Sequence, residues 1–306
     1  MRIPPNLFSI PFTLAGLAEA WRAGQPILGV PVAVANAFDI AAAVLLLVIG
    51  ARYAGQGGRL VAADLTDKTL SPFLALPLIT AMLLGVALAV YAFTAGRVVV
   101  IVFLVATVLL GGWMTGEWIA APLDRSTLHP GYFLPTVAGS LIGAFAAAQV
   151  HLHTVAEAAF GTGILSWILL GSLLLNRLFL EPTLPVPLIP TMAIEMAPPV
   201  VAGAAYSALT GGRLDVVAYT LAGYSVLMAL VQIRLARMYF RLRFAPSFWA
   251  FGFSYASAFS YGLLWIAARR PPGAVGFAIA DLAVITGFIA LLAARTVLAI
   301  ARGDFL

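Results

Sequence analysis

The chain has 306 residues, of which 62% are apolar and 9% charged, and its mean hydropathy of +1.03 excludes a soluble globular domain. Because a membrane-crossing helix needs about 20 apolar residues, the chain has room for about ten crossings and little else. The sequence contains no cysteine, which excludes disulfides, thiol catalysis and Cys-ligated metals. We therefore predict one all-α integral membrane domain over residues 1–306, with no extramembrane domain.

Apolar segments taken in chain order predict ten transmembrane helices. They lie at roughly 4–21, 29–50, 71–93, 98–121, 131–150, 156–176, 187–209, 214–236, 246–268 and 274–300. Breaks rich in charge, glycine or proline separate them, including Arg22 to Pro26, Gly55 to Lys68 and Gly96-Arg97. The first segment has only Arg2 before it and lacks a clear small-residue cleavage site. We expect it to be a retained helix and not a signal peptide.

The distribution of basic residues predicts the orientation. Twelve of the 17 Lys and Arg residues fall on the side of the N-terminus and five on the opposite side. Basic loop residues are retained on the cytoplasmic side, so we expect both termini in the cytoplasm and the protein in the inner (plasma) membrane. The net charge of +5 then reflects topology and contact with anionic membrane lipid, and no nucleic-acid partner is predicted.

A proline recurs about every 60 residues, at Pro11, Pro77, Pro135 and Pro198, in the first, third, fifth and seventh segments. Proline removes a backbone hydrogen bond and clashes with the preceding turn, so we expect kinks there. The period predicts five helical hairpins in a quasi-fivefold arrangement, whose five inner, kinked helices line a central pore. The alternative is that proline is simply commoner in membrane helices.

The ninth segment has no proline, and the same interval falls on Gly252 and Phe253. A glycine beside an aromatic residue gives the ring room to rotate. A ring at the narrowest point can close a pore by filling it and excluding water. Gly252 is thus the predicted kink of this helix and Phe253 a candidate gate; the alternative is that Phe253 packs against a neighbouring helix or lipid.

The ninth segment, with its Trp249-Ala250-Phe251-Gly252-Phe253 core, resembles the ninth helix of the tellurite-resistance/dicarboxylate transporter (TehA-like) family, which includes the plant slow-type anion channels. Further matches follow in order along nearly the whole chain. Phe8 to Trp21, Gly131 to Gly139, Phe160 to Arg177 and Pro190 to Pro199 resemble the first, fifth, sixth and seventh helices of that family.

The resemblance implies a ten-helix subunit in which one phenylalanine occludes a pore inside the five inner helices, with three subunits that each carry a separate pore. By position, that phenylalanine is Phe253. Family members are passive anion channels, or carriers and exporters of small anions. We predict a passive channel for small inorganic or organic anions; the alternative is a proton-coupled carrier or exporter of a C4-dicarboxylate, tellurite or sulfite. The substrate does not follow from the fold.

Charge along the predicted inner helices bears on how an anion would be held. No Lys or Arg is placed in the middle of an odd-numbered segment, so backbone and hydroxyl dipoles would bind an anion weakly and allow fast passage. Glu195, three residues before Pro198, is a candidate for a pore or proton-coupling role; it could instead be protonated or satisfied by an adjacent helix. Asp39, in the second segment, is expected to hydrogen-bond to another helix.

Other chemistry finds little support in the sequence. His151-x-His153 could ligate a metal, but two histidines at a helix end are more typical of a hydrated loop. We find no phosphate-binding loop, no His-Glu-x-x-His and no plausible Ser/His/Asp grouping. The sequence predicts no metal site, no cofactor and no enzymatic activity.

Overall fold

The computed structural model describes residues 2–121 and 124–305, and this part of the chain is helical without any β-strand. Eleven α-helices occur within the described residues. They are α1 (Ser9–Leu28), α2 (Ala33–Ala54), α3 (Gly58–Thr66), α4 (Leu76–Ala89), α5 (Phe93–Ala120), α6 (Gly139–Gln149), α7 (His153–Leu180), α8 (Ala197–Thr210), α9 (Val216–Tyr239), α10 (Trp249–Arg269) and α11 (Ala274–Arg302).

Within the part of the chain that the structure describes, eight helical segments are long and apolar enough to cross a membrane. They are Ala33–Ala54, Ser71–Ala89, Phe93–Ala120, Pro130–Gln149, His153–Leu180, Val186–Thr210, Val216–Tyr239 and Ala274–Arg302. The prediction of a helical membrane protein is therefore confirmed, and eight of the ten predicted crossings are identified by length and composition.

Helices α1 and α10 are not among these eight. α1 carries Glu19 and Arg22, and α10 carries Ser254, Ser257 and Ser260. The two helices pack against each other, and each also contacts several further helices. A helix surrounded by protein can hold polar side chains that a lipid-facing helix cannot, which accounts for their lower apolar content.

Burial alternates along the chain. In the apolar 18-residue stretch of each segment, 67% to 83% of the residues are buried where the segment contains α4, α6 or α8, against 17% to 28% in those of α2, α5, α7, α9 and α11. Helices α1 and α10 have 11 of 20 and 8 of 21 residues buried, and with α4, α6 and α8 they make up the more buried helices. Contacts run from α1 to α4, α4 to α6, α6 to α8, α8 to α10 and α10 back to α1, and each of these helices also contacts a neighbour from the less buried set. The largest hydrophobic cluster lies among the more buried helices.

The four predicted kink prolines lie where the helix changes its geometry. Pro77 and Pro198 are the second residues of α4 and α8, directly after the 3₁₀ segments Ser71–Ala75 and Val186–Met196. A proline is tolerated in the first turn of an α-helix because its missing N–H would have no partner there. The prolines thus begin α-helical halves and do not interrupt them.

The remaining predicted kinks follow the same pattern with local variations. Pro135 lies in a π-helical turn, Leu134–Ala138, that leads into α6, and Pro11 is the third residue of α1 after a short 3₁₀ turn. In the ninth segment a 3₁₀ turn, Pro246–Phe248, precedes α10, and Gly252 is the fourth residue of that helix. Each of the more buried segments therefore starts in a non-α turn.

Three predicted boundaries are wrong. Helix α1 continues through Arg22 and Pro26 to Leu28, because Arg22 finds ion-pair partners inside the protein and its charge need not end the helix. Gly96 lies inside α5, where the absence of a side chain allows close packing against the backbone of α4. The predicted loop from Gly55 to Lys68 contains the short helix α3.

Candidate functional site

Two cavities lie along the more buried helices. The first cavity has a volume of about 250 Å³ and is lined by residues near the start of each of these helices. The second cavity has a volume of about 460 Å³ and is lined by residues further along the same helices. The first is bordered by, among others, Ser9, Phe12, Phe73, Val137, Thr191 and Ser254. The second is bordered by, among others, Gly16, Glu19, Arg22, Val86, Gln149 and Ser257.

Phe253 lies at the boundary between the cavities. It lines both of them, as does Val201 of α8. Only 8% of Phe253 is exposed, and its ring stacks on that of Phe12, with centroids 3.6 Å apart and an angle of 13° between the planes. Phe12 lines the first cavity and is 2% exposed. We refer to Phe12 and Phe253 as the aromatic pair.

The space for the Phe253 ring comes from Gly16 of α1. A Cβ atom added at Gly16 would lie 2.9 Å from Cδ2 of Phe253, closer than ordinary side-chain contact. Gly252 has a different role from the one expected of it. A Cβ atom added there would overlap the side chain of Thr13, so Gly252 lets α1 approach α10 and does not directly free the neighbouring ring.

The predicted kink residues take little part in the cavity walls. Pro198 lines the first cavity, whereas Pro11, Pro77, Pro135 and Gly252 border neither cavity. These residues therefore affect the course of the helix backbones. They shape the cavities through backbone geometry and helix spacing.

The wall of the first cavity carries hydroxyl groups but no charged side chain among the described residues. Ser9 donates its hydroxyl to the carbonyl of Asn6 at 2.5 Å, and Thr191 donates to the carbonyl of Leu188 at 2.6 Å. Ser254 donates to the carbonyl of Ala250 at 3.1 Å. A hydroxyl that already donates within its own segment holds an anion weakly, because it must first give up that bond.

The second cavity differs because a cation borders it. Arg22 lines it and lies within α1, because this helix extends to Leu28; the prediction that placed no Lys or Arg in the middle of an odd-numbered segment is therefore wrong for the first segment. Arg22 donates through Nη1 to Oε1 of Glu19 at 2.6 Å and through Nη2 to Oδ2 of Asp39. The predicted interhelical hydrogen bond of Asp39 is thereby confirmed. We refer to Glu19, Arg22 and Asp39 as the charged trio.

Glu195 lies behind the wall of the first cavity. It is 8% exposed, within the 3₁₀ segment Val186–Met196, and borders neither cavity. Its Oε1 is buried without a hydrogen-bond partner among the described residues. The side chain of Gln232 in α9 donates to the carbonyl of Met192 at 3.1 Å and ties the same segment to its neighbour. A role of Glu195 in proton coupling stays a prediction.

His129 fixes the loop at the rim of the first cavity. Its Nε2 lies 3.1 Å from the carbonyl oxygen of Thr69, which lines that cavity, and its Nδ1 accepts a hydrogen bond from the Gly131 N–H at 3.1 Å. These partners require the neutral ring with the proton on Nε2. Burial lowers the pKa of His129 from 6.5 to about 4, which maintains this neutral form.

Comparison with known proteins identifies the family. A family model described as "Voltage-dependent anion channel" matches residues 2–297. The chain belongs to this family. It is also similar to the tellurite resistance protein TehA homolog of Haemophilus influenzae, with 26% identity over 310 residues that cover 99% of this chain and 92% of that protein. The membership predicted from the sequence motifs is thus confirmed.

Membership in this family, together with the apolar helices, makes the chain an integral membrane protein of an anion-transport family. Such families are channels and transporters and not enzymes. Two features of the site were not found from the sequence. The first is Phe12, near the N-terminus, whose ring stacks on that of Phe253. The second is Arg22, which lies within α1 although the sequence predicts a break between helices there.

Proposed function

We propose that this protein is a passive channel for small anions, with a pore that runs through the two cavities and is closed by the aromatic pair. In this proposal α1, α4, α6, α8 and α10 form a quasi-fivefold ring of inner helices, and all ten predicted segments cross the membrane. The closed chain of contacts among these five helices and their greater burial support the arrangement.

The position of Phe253 carries the proposal. Phe253 borders both cavities, so an ion that moved from one cavity to the other would pass next to its ring. Two stacked apolar rings exclude water, and an ion that has to lose its hydration shell meets a high barrier there. Rotation of the Phe253 ring away from Phe12 would join the cavities. In the closed arrangement the ring occupies the space left by the missing side chain of Gly16.

The chemistry of the first cavity supports passive conduction. Weak contacts with hydroxyl groups and the absence of a charged side chain from its described wall allow an anion to leave as easily as it arrives. Glu195 borders neither cavity, so the proposal assigns it no contact with the conducted ion. No observation favours a proton-coupled carrier over a channel.

We further propose that the protein is a homotrimer in the plasma membrane, with one pore in each subunit and both termini in the cytoplasm. The basic residues on the side of the termini would contact anionic lipid headgroups. Native mass spectrometry in mild detergent tests the trimer, and accessibility labelling at each terminus tests the orientation. A monomer or an external C-terminus would contradict the corresponding part.

The functional test uses Phe253→Ala in reconstituted bilayers. We expect a chloride or nitrate current that reverses near the equilibrium potential of the anion and rises steadily with its concentration. A coupled carrier would instead give a transport rate that saturates with substrate and changes with an imposed proton gradient. Absence of any anion current from Phe253→Ala would contradict the proposed function.

A further inference from the structure

The charged trio contains two acids and one base. Arg22 and Glu19 lie three residues apart on α1, and Asp39 approaches Arg22 from α2. When both carboxyl groups are ionised, the trio carries one net negative charge. A pair of one acid and one base would have been enough to neutralise Arg22, so the second carboxylate needs an explanation beyond satisfying that guanidinium.

The trio is only partly shielded from the second cavity. The side chains of Glu19, Arg22 and Asp39 are 17%, 16% and 11% exposed, and Glu19 and Arg22 belong to the cavity wall. Charges at a water-filled wall with protein behind them act over longer distances than charges in bulk solvent. An ion inside the second cavity would therefore experience the net charge of all three groups.

The trio also lies close to the aromatic pair. Glu19 follows Gly16, which contacts the Phe253 ring, by three residues, a rise of roughly 4.5 Å along an α-helix. Ser257, one turn after Phe253 on α10, lines the same cavity as Glu19 and Arg22. An anion in the second cavity thus passes the trio immediately before or after it passes the rings.

Apart from Glu19 and Arg22, no Asp, Glu, Lys or Arg belongs to the described wall of the second cavity. His151 and the amide of Gln149 also line it, with Ser257 and Ser260. Arg270 donates to the carbonyl of Pro26 at 2.8 Å at the rim, but Arg270 is exposed and its charge is screened by solvent and salt. Glu19 and Arg22 are the acidic and guanidinium groups of the described cavity wall, and Asp39 contacts Arg22 from α2.

We propose that Glu19 and Asp39 determine the charge selectivity of the pore and its rate of anion conduction. Their two negative charges exceed the single positive charge of Arg22. The second cavity therefore repels anions weakly, and conduction is held below its maximum. This inference rests on the proposed function, anion conduction through the two cavities. The positive charge of Arg22 limits this repulsion. The two carboxylates in turn keep the Arg22 guanidinium from binding a passing anion tightly.

The test ranks variants by the net charge of the trio in the Phe253→Ala background, where the aromatic barrier is removed. At a pH at which both carboxyl groups are ionised, the unaltered trio has a charge of −1 and Arg22→Gln leaves −2. Glu19→Gln, Asp39→Asn and the triple variant with Arg22→Gln leave no net charge, and Glu19→Gln/Asp39→Asn leaves +1. We expect chloride current at low salt to increase in the order of this net charge, with about a threefold change for each unit of charge.

Two further measurements distinguish a change of current caused by charge from one caused by misfolding. The differences should shrink at high ionic strength, and Arg22→Gln should shift the reversal potential in a NaCl gradient toward that of sodium. Glu181→Gln, which removes an exposed acid paired with Arg125 far from the trio, is the matched control and should leave the current unchanged. If Arg22→Gln fails to fold, the four variants that neutralise an acid still establish the order.

A current that does not depend on the net charge of the trio, in variants that still conduct, would overturn this inference and leave the proposed channel intact. Equal loss of current in all trio variants would also overturn it, because a purely structural ion-pair cluster would behave in that way. Absence of anion current from Phe253→Ala with the unaltered trio would overturn the proposed function, and this inference with it.

Discussion

The ring of Phe12 stacks on the ring of Phe253 with a centroid separation of 3.6 Å and an angle of 13° between the planes. One residue belongs to α1 and the other to α10, so the contact joins the first and last of the more buried helices. Phe12 borders only the first cavity, whereas Phe253 borders both. In the proposed channel the barrier is therefore a pair of rings and not a single side chain.

This relationship predicts that the two rings act as one unit. Phe12→Ala should raise anion flux, but less than Phe253→Ala does, because the Phe253 ring remains at the boundary. The double variant should conduct about as well as Phe253→Ala alone, because without Phe253 the ring of Phe12 has no ring to stack on and no longer contributes to the barrier. Flux into liposomes from the four proteins measures this. Rate increases that simply multiply would show that the rings act independently.

Gly252 gives a prediction about packing. Gly252→Ala places a methyl group against Thr13 and should lower the stability of the protein by about 1–3 kcal/mol, the usual effect of overpacking. Thr13→Ala removes the overlapping atoms and should restore most of that loss. Thermal unfolding in detergent measures both effects. Gly223→Ala on α9, where an added Cβ meets no atom within 4 Å, is the control.

If Gly252→Ala proved as stable as the unaltered protein, the close approach of α1 and α10 at this point would be wrong. If the added Thr13→Ala failed to help, the overlap with Thr13 would not be the cause of the instability.

The helical class and the alternation of more and less buried segments could be predicted because each is a local pattern in the sequence, whereas the gate role of Phe253 stays a prediction. Prolines at regular spacing marked the helices that the structure shows to be most buried. Phe12 and the partners of Arg22 could not be predicted, because they depend on which helices meet in space. A charge usually ends an apolar segment, and only the nearby Glu19 and Asp39 allow Arg22 to stay within α1.

The position of Glu195 predicts a small effect on transport. Because its side chain borders neither cavity, Glu195→Gln should leave anion flux within about twofold of the unaltered protein, with or without a pH gradient. Liposome flux at matched protein amounts measures this. Loss of uptake driven by a pH gradient, with exchange intact, would contradict this expectation and favour the coupled carrier.

His129 predicts a dependence of stability on pH. Its pKa is 6.5 in the unfolded chain and about 4 in the fold, so the unfolded chain binds the additional proton as the pH falls below 6.5. The protein should therefore lose about 2 kcal/mol of stability between pH 7 and pH 5 from this residue. The loss should be complete below pH 4, where both states are protonated.

The matched variant is His129→Gln, which cannot titrate but keeps a donor for the carbonyl of Thr69. Thermal unfolding in detergent at pH 7 and pH 5 compares the two proteins. The variant should show a smaller loss between these values. An unchanged pH dependence would mean that His129 is not the group responsible.

The most direct measurement is the chloride or nitrate current of the unaltered protein, Phe253→Ala and Phe251→Ala at equal amounts in the same bilayer. Phe251 is the matched control because it packs on Tyr239, with ring centroids 4.7 Å apart, and borders neither cavity. We expect Phe253→Ala alone to raise the current at least about tenfold by removing the apolar barrier, while Phe251→Ala lowers only thermal stability. Equal currents from the unaltered protein and a folded Phe253→Ala, or an increase from Phe251→Ala alone, would contradict the proposal that Phe253 closes the pore.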